Sequence, residues 1–164
     1  MDRGAYEMGQ KALLVCLERI AADPISQTTG MTFIVDSAGF SLGKLIYCNL
    51  GYMRRFLEYL QDCMPMRMKA LHIVHESKAI DLLYGALRPF LKRKLTDRLH
   101  FHGSNYENLL KEVPPEALPK ECGGEVDALD FDGFWHQMDQ EEALFVENNH
   151  FGYVDGNAEH SAPR

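Results

Sequence analysis

Two short apolar runs, "GMTFIVD" (30–36) and "ALHIVH" (70–75), limit the possible folds more than anything else in the chain. Both are rich in strand formers, and the first is opened by a glycine. Both are apolar at consecutive rather than alternating positions, the pattern of a strand covered on both faces. Between them lies a stretch with helical spacing, so the connection is a crossover and the two strands run parallel. "RLHFH" (98–102) reads as a third, shorter strand after a second helix. The order helix, strand, helix, strand, helix, strand predicts an α/β fold with a mostly parallel sheet.

The connecting segments carry the helical signal. "KALLVCLERIAA" (11–22) has helical apolar spacing, and Asp23-Pro24 ends it, since a residue before proline is pushed out of the helical region. Ser41 is placed to cap a long helix running to about Cys63. On it Leu42, Leu45, Ile46, Leu50, Met53, Phe56, Leu57, Leu60 and Met64 form one broad face, and Pro65 stops it. A further helix is expected over Ala79–Leu91 and a short one over Asn105–Glu112. Residues 116–125 read as a loop, and the final "GNAEHSAPR" as disordered.

The 164 residues suffice for one domain, and no apolar run approaches the roughly 20 residues of a membrane span. The N-terminus lacks a signal-peptide pattern. Cys16, Cys48, Cys63 and Cys122 contain no C-x-x-C pair, which fits reduced thiols in a cytoplasmic protein. The net charge of −7 conceals an asymmetry. Residues 121–164 hold eleven Asp/Glu and one Arg, a balance of −10, whereas residues 67–98 hold eight basic and three acidic side chains. The body therefore carries a local positive field.

Several motifs invite chemistry they do not support. "GFSLGKL" (39–45) sits where a phosphate-binding P-loop would, but only three residues separate its glycines, and Leu45 replaces the metal-binding hydroxyl. It reads as an ordinary strand-to-helix turn. His72 and His75, three apart on a strand, point to opposite faces. His100 and His102 share a face but lack an evident third ligand, so no metal or cofactor is expected. Nothing local supports a Cys-His nucleophile, and no enzyme is expected.

The helix at 79–91 is more informative. Asp81, Gly85 and Arg88 make one thin polar stripe, and nearly everything else is apolar. A surface helix needs an apolar face of only about 100°. Two readings remain open: a helix buried on most sides, or one with an inner face on a ligand and a greasy flank facing a membrane. Pro89 cannot bond back to the Gly85 carbonyl and would kink it. Arg88, Lys92, Arg93, Lys94 and Arg98 follow at once. A cationic patch behind an exposed apolar helix suits an anionic membrane, each charge contributing about 1 kcal/mol near acidic lipid. Nucleic acid is disfavoured, because no aromatics interleave with the patch and the acidic tail opposes it.

Three segments, "QTTGMTFIVDSAGF" (27–40), "LQDCMPMRMKALHIVHE" (60–76) and "LRPFLKRKLTDRLHFHGSNYENLLKEVPPEALPKECGGE" (87–125), closely resemble the CRAL-TRIO lipid-binding domain family. The "RPFL…K…R…HG…LP…GG" series in register is highly specific. The resemblance implies a CRAL-TRIO-like fold: a mostly parallel sheet, helices, and a mobile lid helix over an apolar pocket, the lid falling on Ala79–Leu91. It implies pocket residues at Met31, Val35, Phe56, Tyr59, Leu60 and Leu71, to which the helix spacing adds Ile80, Leu83 and Leu87. Phosphoinositide headgroup ligands of the tocopherol-transfer branch correspond to Arg67, Lys69, Lys94 and Arg98. "HES" (75–77) stands where the family carries N-x-P, and Cys122 where it commonly carries tyrosine or phenylalanine.

The expected organisation is a lipid-binding domain over residues 1–126, without the family's N-terminal helical domain and first strand, followed by an acidic tail over 127–164. The expected function is transfer of a small hydrophobic ligand between membranes, with docking to phosphoinositide-containing surfaces and peripheral association with intracellular membranes. A cargo-poor, phosphoinositide-dependent adaptor and a truncated form with impaired ligand binding are the alternatives. An uncovered sheet edge would favour self-association.

Overall fold

A computed structural model describes residues 3–104 and 106–148. Helix α1 (Arg3–Ala21) begins earlier than its apolar spacing predicts. Asp23-Pro24 ends it as expected but also starts α2 (Pro24–Thr29), with proline in the first turn and the Asp23 carboxylate accepting from the Ile25 and Ser26 N–H groups. Gly30 then takes φ 78°, and a Cβ there would lie 2.6 Å from the Arg67 carbonyl oxygen. Only glycine fits where β1 (Met31–Asp36) enters the sheet.

The segment expected as one helix over 41–63 is three pieces. Residues Leu42–Tyr47 form a 3₁₀ helix, and Ser41 makes no side-chain cap bond. Asn49 breaks the run: its side chain accepts from the Tyr52 N–H and starts α3 (Leu50–Glu58) afresh. A polar side chain bonding its own downstream backbone competes with helix continuation, which apolar periodicity does not register. A π-helical turn, Tyr59–Cys63, follows, and Met64 is extended before Pro65.

Strand β2 (Met68–Val74) lies between β1 and β3 (Leu99–Phe101), with both pairings parallel. Helix α4 (Lys78–Leu87) connects β2 towards β3 and stops earlier than the predicted Leu91. Pro89 has no N–H to donate, so Arg88–Phe90 tighten into a 3₁₀ turn before α5 (Arg93–Thr96). The helix expected over Asn105–Glu112 reduces to turns and the 3₁₀ segment Leu109–Lys111. There Asn108 donates instead to the His102 carbonyl, at 3.0 Å.

The two faces of the sheet are covered differently. Phe33, Leu71 and Leu99 are register partners on one face, as are Val35, Ile73 and Phe101. Helices α3 and α4 pack over Leu71, Ile73 and Leu99 on that face, while Val35 and Phe101 stay exposed. On the other, Val74 is fully buried against Leu109, Val113 and Leu118, with Tyr106, Leu110 and Cys122 packed around them. The segments read as a short helix (105–112) and a loop (116–125) thus close the back of the sheet together. Gly124 permits its close return, since a Cβ there would sit 2.0 Å from the Leu118 carbonyl oxygen. The acidic segment forms α6 (Phe131–Gln140) and α7 (Glu142–Asn148), tied to α1 through the Arg19–Glu141 ion pair. The terminal "GNAEHSAPR" lies outside the described residues.

Candidate functional site: an apolar cavity beside a cationic cleft

Between α4 and the sheet lies a cavity of about 210 Å³. Of the residues expected to line it, Phe56, Leu60, Leu71, Ile80, Leu83 and Leu87 do so. Met31, Val35 and Tyr59 do not. Val35 shares the cavity's face of the sheet, as partner of Ile73, but lies beyond its edge and is largely exposed. The walls also include Ile73, Leu99 and Tyr84, which the sequence reading did not name. One of these was signalled by strand alternation, since Ile73 follows Leu71 by two; Leu99 is placed there by its register with Leu71.

Helix α4 closes the cavity on its outer side, and its exposure decides between the two readings of its composition. Ala79 and Leu87 are buried and Ile80, Leu83 and Tyr84 half-buried, yet Leu82 is 61% exposed and Ala86 also faces outwards. The helix is therefore not buried on most sides. It has an inner apolar face and an outer apolar flank, which Phe90 extends at 39% exposure. The turn after α4 is tethered through Gln61, whose amide donates to the Phe90 carbonyl at 3.2 Å and accepts from the Lys92 N–H at 2.7 Å. The Arg54 guanidinium sits 5.1 Å from the centre of the Phe90 ring.

Next to the cavity, a second cleft of about 230 Å³ is walled by Arg67, Lys92, Lys94 and Arg98 with apolar neighbours including Leu60 and Leu95. The fold thus gathers three of the four predicted headgroup residues. Lys69 lies outside the cleft lining. Lys92, which the sequence placed in the cationic patch but not among the headgroup residues, joins them and pairs with Asp62. Arg98 is oriented by donating to the Met68 carbonyl. Leu60 and Leu95 line both the cavity and the cleft, so the two share a wall.

The turn after β1 behaves as a structural turn. The Lys44 ammonium folds back and donates to the Gly39 carbonyl at 2.6 Å. Asp36 anchors this end of the sheet: one oxygen accepts from the Tyr106 hydroxyl at 2.6 Å, the other from the Ala38 N–H at 2.8 Å and lies 2.9 Å from His75 Nδ1. The Tyr106 hydroxyl, followed by the Ala38 and His75 contacts, holds the Asp36 carboxyl below the usual carboxylate range. His75 lies just past the strand with φ 53°, so strand alternation does not govern its direction.

The histidines are closer together than sequence reasoning anticipated. His72 and His102 are each 3% exposed, and His72 Nδ1 lies 2.7 Å from His102 Nε2. Burial, then the neighbouring His102 and His100, push the His72 pKa down and favour its neutral form. His102 is joined by His72 from the adjacent strand and by Glu112 from the covering segment, a grouping of possible ligands that does not include His100.

A parallel sheet, a lid-like helix over an apolar cavity and an adjoining cationic cleft agree with the comparison to known families, in which residues 6–124 match the CRAL/TRIO domain. The chain belongs to the CRAL/TRIO family. This CRAL/TRIO chain is 33% identical to clavesin-2 of Rattus norvegicus over 144 residues, 84% of the chain and 44% of that relative. It is 32% identical to the Homo sapiens protein named alpha-tocopherol transfer protein-like over 120 residues, 73% of the chain and 35% of that relative. Clavesin-1 of Rattus norvegicus is 34% identical over 134 residues. The chain spans less than half the length of these curated relatives. Among the described residues no helix is long and apolar enough to cross a membrane.

Proposed function

We propose that this CRAL/TRIO domain binds a small hydrophobic lipid in the cavity under α4 and carries it between membranes, docking through the cationic cleft. The observation that carries the reading is the shared wall. A cavity lined by aliphatic and aromatic side chains adjoins a cleft bearing Arg67, Lys92, Lys94 and Arg98, behind a helix whose outer flank exposes Leu82. Apolar lining favours a lipid tail, clustered cations favour an anionic headgroup, and the exposed flank favours contact with acyl chains. Membership of the family and similarity to a protein named for alpha-tocopherol transfer support lipid as the ligand class. The protein acts from the cytoplasm at membrane surfaces and needs no cofactor or catalytic group. The lipid-binding domain is assigned to residues 1–126, with an acidic appendage over 127–164.

A second reading rests on cavity size. About 210 Å³ is below the roughly 300–1,000 Å³ usual for small-molecule sites. This favours a phosphoinositide-dependent adaptor that docks through the same cleft and carries little cargo. Lipid extraction and mass spectrometry of protein purified from cells separate the two. A stoichiometric hydrophobic ligand supports transfer; its absence, with vesicle binding retained, supports the adaptor. Loss of both refutes the membrane reading altogether.

A further inference from the structure

The back of the sheet, away from the lipid cavity, carries a group of side chains that this function does not use. His72 on β2 and His100 on β3 are register partners, and His102 follows two residues later, so all three imidazoles occupy the same side. Their rings stack, with centroids 4.9 Å apart for His72 and His100 and 5.0 Å for His72 and His102. Glu112 reaches them from the covering segment. One of its oxygens lies 2.9 Å from His100 Nδ1 and 3.9 Å from His72 Nδ1. Ligand atoms of His72, His102 and Glu112 all lie within 4.8 Å of one another.

We propose that His72, His102 and Glu112 form a binding site for a zinc-like divalent transition-metal ion. Two imidazoles and a carboxylate are ligands of the class that zinc accepts, with bonds of about 2.0–2.2 Å. Tetrahedral bonds of that length place neighbouring ligand atoms about 3.3 Å apart. The His72–His102 nitrogens at 2.7 Å open slightly to reach this spacing, and the Glu112 oxygen at 3.9 Å closes slightly. Glu112 has room to adjust because its side chain is 44% exposed, while the two imidazoles are held on the sheet. His100 serves as the outer partner that orients the carboxylate, the usual means of fixing a metal ligand. Without the ion, the two buried nitrogens share a single hydrogen bond, one donating and one accepting.

The ion would link the sheet to the segment that closes its back. Glu112 directly precedes Val113 and follows Leu109–Lys111, and both Leu109 and Val113 are in the buried cluster on Val74. Coordination would thus stabilise the closure of the back face and leave the lipid cavity untouched.

Cobalt(II) titration of the full chain tests this, followed by zinc displacement and by thermal unfolding with zinc sulfate or chelator. A single cobalt equivalent with visible ligand-field bands, bleached by zinc, is expected, together with a zinc-dependent rise in Tm. Glu112→Gln alters an exposed side chain and is expected to keep the fold while weakening zinc binding at least about tenfold. His102→Gln is expected to abolish binding, and the Glu112 variant keeps the test decisive if that protein does not fold. Absence of a one-to-one cobalt complex overturns the proposal. So does unchanged affinity in Glu112→Gln, or a thiolate-to-cobalt charge-transfer band, which would move the ion to one of the four free cysteines.

Discussion

Replacing Arg67 and Lys94 together with alanine probes membrane docking most directly. Both side chains line the cleft and both residues are exposed. Arg98 is left in place because its guanidinium also holds the Met68 carbonyl, so its loss would mix structural damage with lost charge. Each basic side chain near an acidic surface contributes about 1 kcal/mol. The pair therefore contributes about 2 kcal/mol, or roughly a 30-fold change in partitioning. Vesicles of neutral lipid with a few per cent phosphoinositide, sedimented at low and at near-physiological salt, provide the assay. The defect should shrink as salt rises, because the Debye length falls from about 30 Å at 0.01 M to about 8 Å at 0.15 M. Binding to purely neutral vesicles should not change. If the double variant partitions like the parent at both salt concentrations, the cleft is not the docking surface. An equal loss on neutral vesicles refutes the electrostatic account.

Leu83→Asp places a carboxylate against the cavity's apolar walls, an unfavourable burial, and retention of a fluorescent lipophilic probe should fall at least about tenfold while vesicle docking changes less. Unchanged retention would remove Leu83 from the ligand's surroundings. Gly124→Ala drives a methyl group into the Leu118 carbonyl and should destabilise the chain by roughly 2 kcal/mol or more, read as a lowered denaturation midpoint. Tyr106→Phe removes the hydroxyl that keeps Asp36 ionised. Hydrogen bonds to charged groups contribute about 1.5–3 kcal/mol, and 43% exposure of the Asp36 side chain lowers this to about 1. The folded-state pKa of Asp36 lies below its ordinary value, so its stabilisation is present above the usual carboxylate range and lost as pH falls through the depressed value. Urea unfolding should therefore separate parent and Tyr106→Phe at pH 7 and bring them together near pH 2; a constant difference would exclude Asp36 as the cause. Among the described residues strand β1 has a strand neighbour on one side only, and it exposes Ile34 and Val35, so the isolated chain is expected to self-associate through that edge. A monodisperse monomer in light scattering, with concentration-independent thermal unfolding, would count against this.

What the amino-acid sequence determined alone is what depends on local chemistry. Continuous apolar runs at 30–36 and 70–75 specify strands, and their separation by helix-forming segments makes them parallel; the expected cover on both faces holds for β2 alone, since β1 leaves Ile34 and Val35 exposed. Proline at 24, 65 and 89 interrupts helices wherever it falls. Six cavity residues and three cleft cations were likewise legible, because spacing on one helix and a family series in register place them on known faces.

Tertiary structure decided what depends on partners distant in sequence. Asn49 divides the long helix with a side-chain bond that apolar periodicity does not record. Val35 lies on the correct face but beyond the helices that define the cavity, and no pattern within β1 reports where those helices end. Helix spacing put Leu83 with Ile80 and Leu87 on the inner face, but only packing shows that the opposite flank, with Leu82, stays uncovered. The histidine cluster is the clearest case. Alternation put His100 and His102 on a common face, but the parallel register brought His72 beside them, and the folding-back of the segment read as a short helix over Asn105–Glu112 brought Glu112. Side-chain type and spacing are local quantities, whereas register and loop closure are set by the burial of Val74, Leu109, Val113 and Leu118 against one another across the fold.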